Sequence, residues 1–116
     1  MKKTIKNYLI KIRAINTIKK ELETVCISKA YPTQYEIRYL GVMGAYIRLR
    51  GGLLSVYLTP NAAVDHTSIA IYAKDFDDKK LNSMTDNKMH KYINIAKTAL
   101  AKTLVYDAIA SREELN

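Results

Sequence analysis

Apolar positions recur at spacings of three and four through the first part of the chain. Ile5, Tyr8, Ile12, Ile15, Ile18, Leu22 and Val25 share one helical face, and no glycine or proline interrupts them. The pattern predicts a basic amphipathic helix within residues 1–25, turning from about residue 3. A linker follows around Pro32. The period then changes. Residues 35–40 alternate and are rich in Tyr and Ile, which predicts a strand. Residues 45–50 and 53–58 alternate across Gly51-Gly52, which predicts a tight hairpin, because glycine reaches positive φ at both turn positions. Residues 68–74 predict one more strand. Met89, Ile93, Ala96, Leu100 and Leu104 resume helical spacing behind an N-cap at Thr85 or Asp86, and predict a helix over residues 85–111.

The expected order is α-β-β-β-β-α in one domain spanning residues 1–116. Helices at both ends of an antiparallel run predict an α+β two-layer sandwich. Its sheet has three or four strands, lies within residues 35–74, and carries both helices on one face.

A two-residue turn fixes the hairpin register. Arg50 then faces Leu53, Arg48 faces Ser55, Ile47 faces Val56 and Tyr46 faces Tyr57. Ala45, Ile47, Leu49, Leu54, Val56 and Leu58 collect on one side, all apolar, while Tyr46, Arg48, Arg50, Leu53, Ser55 and Tyr57 collect on the other. In the preceding strand, Tyr35, Ile37 and Tyr39 point inward, with Glu36, Arg38 and Leu40 outward. This requires an odd number of residues in the Gly41–Gly44 turn region, with a bulge, because an even loop would bury Glu36 and Arg38 unpaired. Glu36 is then expected to pair with Arg48 or Arg50. In the last strand, Ile69, Ile71 and Ala73 belong inside, and Tyr72 and Lys74 outside.

Charge adds a second surface. The chain carries +8 with a sequence pI near 9.6. Residues 1–20 hold Lys2, Lys3, Lys6, Lys11, Arg13, Lys19 and Lys20 and no acid, so the rest of the chain is close to neutral. At about 100° per residue, Lys2, Lys6, Arg13 and Lys20 form one stripe opposite the apolar face. Such a stripe matches a phosphate track or, equally, an anionic lipid surface. The plain alternative is a solvated helix face. Ordinary exposed helices interleave Glu with Lys, whereas here Glu21 and Glu23 arrive only at the end. The sheet offers the other candidate surface: Arg38, Tyr46, Arg48, Arg50, Tyr57, Tyr72 and Lys74. Tyrosine can stack on bases and arginine can grip phosphate, and both residue types also anchor protein interfaces. An unadorned solvated sheet face has a similar composition.

The remaining chemistry is sparse. Cys26 is the sole cysteine, so neither an internal disulfide nor a cysteine-rich zinc site can form, which suits a reducing compartment. It follows an apolar helix and is expected to pack. His66 and His90 lack ligand spacing and are expected at the surface. The run Asp65-His66-Thr67-Ser68 does not make a triad, Asp75-Phe76-Asp77-Asp78 lacks calcium-loop spacing, and neither glycine pair forms a phosphate-binding loop. No cofactor or metal motif is present. Asp107 falls on the buried stripe of the last helix, so either the helix has left the core there or a cation meets it. Tyr106 and Ile109 on another face suit a partner helix, and a homodimer is compatible with that. No apolar run is long enough for a membrane span. Lys6, Asn7 and Lys11 interrupt the opening apolar stretch, so a mature cytoplasmic protein is expected.

These features lead to one expectation and one rival. The first is a small, basic, non-enzymatic module that binds nucleic acid without sequence preference, chiefly through phosphates. The rival is a protein-binding module that presents the Tyr/Arg sheet face to an acidic or other protein surface. The Lys-, Ile-, Asn- and Tyr-rich composition is similar to that of small phage and mobile-element proteins, which often inhibit a host factor.

Overall fold

The computed structural model describes residues 2–29, 32–59 and 69–115, with side chains at 6–29, 32–59 and 70–109. Helix α1 spans Lys2–Glu21. Strands β1 (Glu23–Ser28), β2 (Thr33–Tyr39), β3 (Val42–Arg50), β4 (Leu53–Leu58) and β5 (Ile69–Asp75) follow, and helix α2 spans Asp86–Leu115. The strands form one antiparallel sheet in the order β1-β2-β3-β4-β5. The expected α+β order holds, with five strands in place of three or four.

The additional strand is β1. Helical spacing carried the first helix through Val25, but the chain leaves it at Glu21 and Leu22. Thr24, Val25 and Ile27 are β-branched, stiff at χ1 and suited to a pleated surface. Pairing with β2, which aligns Thr24 with Ile37 and Cys26 with Tyr35, decides the competition.

The central hairpin has the expected register, pair for pair, from Ala45 opposite Leu58 to Arg50 opposite Leu53. Gly51 and Gly52 take φ of 58° and 79°, both in the left-handed region. The loop after β5 straps this turn. The Gly52 amide donates to the Leu81 carbonyl at 2.7 Å, the Phe76 amide to the Gly52 carbonyl at 2.8 Å, and the Gly51 amide to Asn82 Oδ1 at 2.8 Å. A Cβ on Gly52 would lie 2.2 Å from the Asp78 carbonyl oxygen, so glycine is required there by space as well as by φ.

The bulge expected between the second and third strands is present. Ile37 pairs with Ala45 but Arg38 pairs with Met43, which leaves Gly44 extra. The shift keeps Ile37, Ile47 and Leu49 at 0% exposure on one face. That face is covered by α2 through Met89, Tyr92, Ala96 and Leu100. Each large apolar side chain fully buried here stabilises the fold by roughly 1.5–3 kcal/mol.

A bulge in β5 overturns the expected facing of that strand. Tyr57 pairs with Ala70 while Val56 pairs with Tyr72, so Ile71 is the extra residue. The alternation slips by one. Tyr72 turns to the helix side, where its ring centroid lies 6.0 Å from that of Tyr92. Lys74 stands opposite buried Leu54 and its ammonium sits 4.9 Å over the Phe76 ring. Ala73, not Tyr72 or Lys74, faces outward beside Ser55.

α1 lies against α2, and its residues Ile15 and Ile18, with Leu22 just past its end, complete the core. Its earlier turns run past the sheet. Tyr8, Leu9 and Ile10 are all exposed, and the Lys11 ammonium lies 5.8 Å over the exposed Tyr106 ring. The molecule measures 52 × 26 × 23 Å, its long dimension close to that of the 30-residue α2. Asp107 is exposed at the mouth of a cavity beneath the β2–β3 turn, so by this point α2 has left the core, the first of the two expected alternatives. No helix of the described residues is long and apolar enough to cross a membrane.

Candidate functional site

The outer sheet face collects Arg38, Tyr46, Arg48, Arg50 and Tyr57, as expected, but its electrostatics differ from expectation. Arg38 is engaged by Glu36, whose Oε2 accepts from Arg38 Nε at 2.9 Å and from the second guanidinium nitrogen at 2.5 Å. Glu36 therefore pairs along its own strand, and not with Arg48 or Arg50. The residue across from Glu36 is Tyr46. Glu23 lies opposite Arg38, and Asp75 ends the row that begins at Arg50. Three arginines thus face three acids: Arg38, Arg48 and Arg50 against Glu23, Glu36 and Asp75. With Lys74 on the other side, the face is neutral.

Tyr46 and Tyr57 pair across the strands with centroids 6.4 Å apart and are half-buried against one another. Burial raises the Tyr46 phenol pKa, with Arg48 acting in the opposite direction. Arg48 is also half-buried, and its Nε is sequestered without a hydrogen-bond partner among the described residues. Leu53 on the same face is exposed.

The positive charge lies on α1. Lys6, Arg13 and Lys20 are exposed along α1, and Lys20 also borders the cleft described below. Lys2 is in the helix, but its side chain lies outside the described residues. Lys19, on a neighbouring side, points into a cleft that the sequence pattern did not reveal.

This cleft has a volume of about 720 Å³. One wall is α1, with Asn16, Lys19 and Lys20. The opposite wall is α2, where Asp86, His90, Ile93, Asn94 and Lys97 recur at helical spacing on one side. Thr24 and Cys26 of β1 and Tyr35 of β2 form the floor, and Lys29 stands beyond the end of β1. Four ammonium groups from three chain segments therefore surround one cavity. Asp86 is the only acid lining it among the described residues.

Asp86 is partly committed. The Tyr35 hydroxyl donates to its Oδ1 at 2.8 Å, and Lys29 Nζ lies 3.8 Å from its Oδ2. Burial, then the Asp86 carboxylate, holds the Tyr35 phenol well above the usual tyrosine range. Thr24 Oγ1 is sequestered in the floor without a partner among the described residues.

Cys26, expected to pack, is exposed on the edge strand, because the helix that would have buried it ends before it. His90 is exposed, as expected, on the cleft wall. The run Asp65-His66-Thr67-Ser68 lies outside the described residues. In the loop after β5, Asp75 Oδ1 accepts from the Asp77 amide at 2.8 Å and Asp78 Oδ1 from the Lys80 amide at 3.0 Å. These carboxylates shape the strap over the hairpin turn.

The cleft went unseen in the sequence because its lysines are 78 positions apart at the extremes, Lys19 to Lys97. Only the antiparallel pairing of α1 with α2 unites them. Lys19 was visible as part of the basic segment, whereas Lys29 and Lys97 carried no signal.

The chain matches no family model, no curated protein and no solved structure.

Proposed function

We propose that the protein binds nucleic acid without sequence preference, by neutralising phosphates along α1 and in the adjoining cleft. One observation carries this reading. Lys6, Lys11, Arg13, Lys19 and Lys20 occupy α1 with no acid before Glu21, and the last two join Lys29 and Lys97 around one cavity. A cationic track of this kind gains affinity by releasing counterions from the polyanion.

Salt dependence tests it. Five engaged phosphates give a slope of log K against log salt of about −4.5 for duplex DNA and about −3.5 for a single strand. The triple variant Lys6→Glu, Arg13→Glu, Lys20→Glu should lose most of the affinity and flatten the slope. Absence of binding to either polymer at low salt overturns the reading.

A second reading has its own observation. The outer sheet face is charge-balanced, holds the Tyr46–Tyr57 pair and exposes Leu53. Such a face suits a protein partner better than phosphate. If Arg48→Ala with Tyr57→Ala abolishes capture of a partner protein while leaving nucleic-acid affinity unchanged, the sheet is the protein-binding surface.

A further inference from the structure

We infer that the cleft between α1, β1 and α2 takes a single strand of nucleic acid, and that a duplex is confined to the outer stripe of α1. The inference rests on the nucleic-acid reading above and assigns its substrate form.

The argument is one of shape and charge placement. Lys19 and Lys97 approach from opposite walls and are both half-buried, so their ammonium groups serve the cavity more than the outer surface. The volume, about 720 Å³, lies within the roughly 300–1,000 Å³ of ligand-sized pockets. That admits a short stretch of a flexible strand. A duplex is a stiff rod, with a persistence length of about 150 base pairs, and it cannot fold into such a space. Resting on α1, it meets Lys6 and Arg13 and leaves the floor untouched. A single strand can place its phosphates between Lys19 and Lys97 and turn its bases toward Ile93. Among the described residues His90 is the one exposed ring lining the cleft, so binding is electrostatic in the main and tolerant of sequence.

The floor carries its own reporter. Cys26 is the sole cysteine of the chain, is exposed, and lines the cleft. A strand in the cleft shields it from a thiol reagent, whereas a duplex on α1 does not.

The test uses the full chain with oligothymidylate and a blunt DNA duplex of equal length, each at about ten times its own Kd. Iodoacetamide labelling of Cys26 is followed by mass spectrometry. With the single strand, labelling slows about tenfold, because only the free fraction reacts. With the duplex it keeps its ligand-free rate. Lys97→Gln then weakens single-strand binding and restores labelling without altering duplex affinity, with the thermal midpoint as a check on folding. If the duplex protects Cys26 equally, or the strand binds without protecting it, the cleft assignment is overturned while nucleic-acid binding stands. If neither polymer binds at low salt, both readings fail together.

Discussion

The Tyr35 hydroxyl donates a 2.8 Å hydrogen bond to Asp86 Oδ1, tying the centre of β2 to the first turn of α2 at the floor of the cleft. The same carboxylate stabilises the positive helix end and places a negative charge among four lysines. The pair couples the fold to the site. Asp86→Asn keeps a polar partner for Tyr35 and removes the charge. It should raise phosphate affinity about two- to fivefold and lower stability by about 0.5–1 kcal/mol. Titration with oligothymidylate and urea unfolding measure the two effects. Unchanged or weaker binding would place the phosphates elsewhere.

Alkali should destabilise the protein through the same pair. Burial foremost, and then Asp86, keeps Tyr35 protonated in the folded state above the range where the unfolded chain loses that proton, near pH 10. The group's contribution is therefore complete below about pH 10 and falls as pH rises further. Tyr46 is raised in the same direction, mainly by burial. Thermal midpoints should be flat from about pH 7 to 9 and then drop. Tyr35→Phe should have a shallower drop, at the cost of one hydrogen bond at neutral pH. Circular dichroism melts at graded pH decide it.

The two turn glycines should differ in their tolerance of alanine. At Gly51 the built Cβ has only the Lys79 carbonyl oxygen near, at 3.9 Å, so Gly51→Ala incurs the left-handed backbone cost, about 1–2 kcal/mol. At Gly52 the same cost is joined by a backbone collision with Asp78. Gly52→Ala must displace the strap itself and should be the more damaging by at least about 1 kcal/mol. Equal unfolding midpoints for the two variants would contradict this.

Leu40 offers a gain. It takes φ of 52° in the β2–β3 turn and is 81% exposed, so it bears backbone strain without burying its side chain. Asparagine is favoured at this position of a type I′ turn. Leu40→Asn should raise stability by about 0.5–1 kcal/mol in urea unfolding. A loss would show that the leucine side chain is supported by contacts.

Thr24 separates stability from binding. Its hydroxyl oxygen is sequestered without a partner among the described residues, so Thr24→Val removes an unsatisfied group at nearly constant shape. The thermal midpoint should hold or rise. A fall corresponding to more than about 1 kcal/mol would reveal a hydrogen bond that the hydroxyl makes in solution.

Local physics alone settled much of this protein. Alternation on either side of Gly51-Gly52 determined the hairpin, its register and the facing of Arg48 and Arg50, because a two-residue turn leaves no freedom to slip. The need to keep Glu36 and Arg38 out of the core determined the bulge near the start of β3, and helical spacing determined α2. Tertiary structure decided the rest. Residues 23–25 had periodicity compatible with α1, and only pairing with the edge of β2 made residues 23–28 a strand. The bulge at Ile71 sent Tyr72 inward to meet Tyr92, a contact that no run of seven residues encodes. The neutrality of the outer sheet and the gathering of Lys19, Lys20, Lys29 and Lys97 arise from pairings between distant segments. Charge acts through space, so its sum at a surface exists only once the chain has brought those segments together.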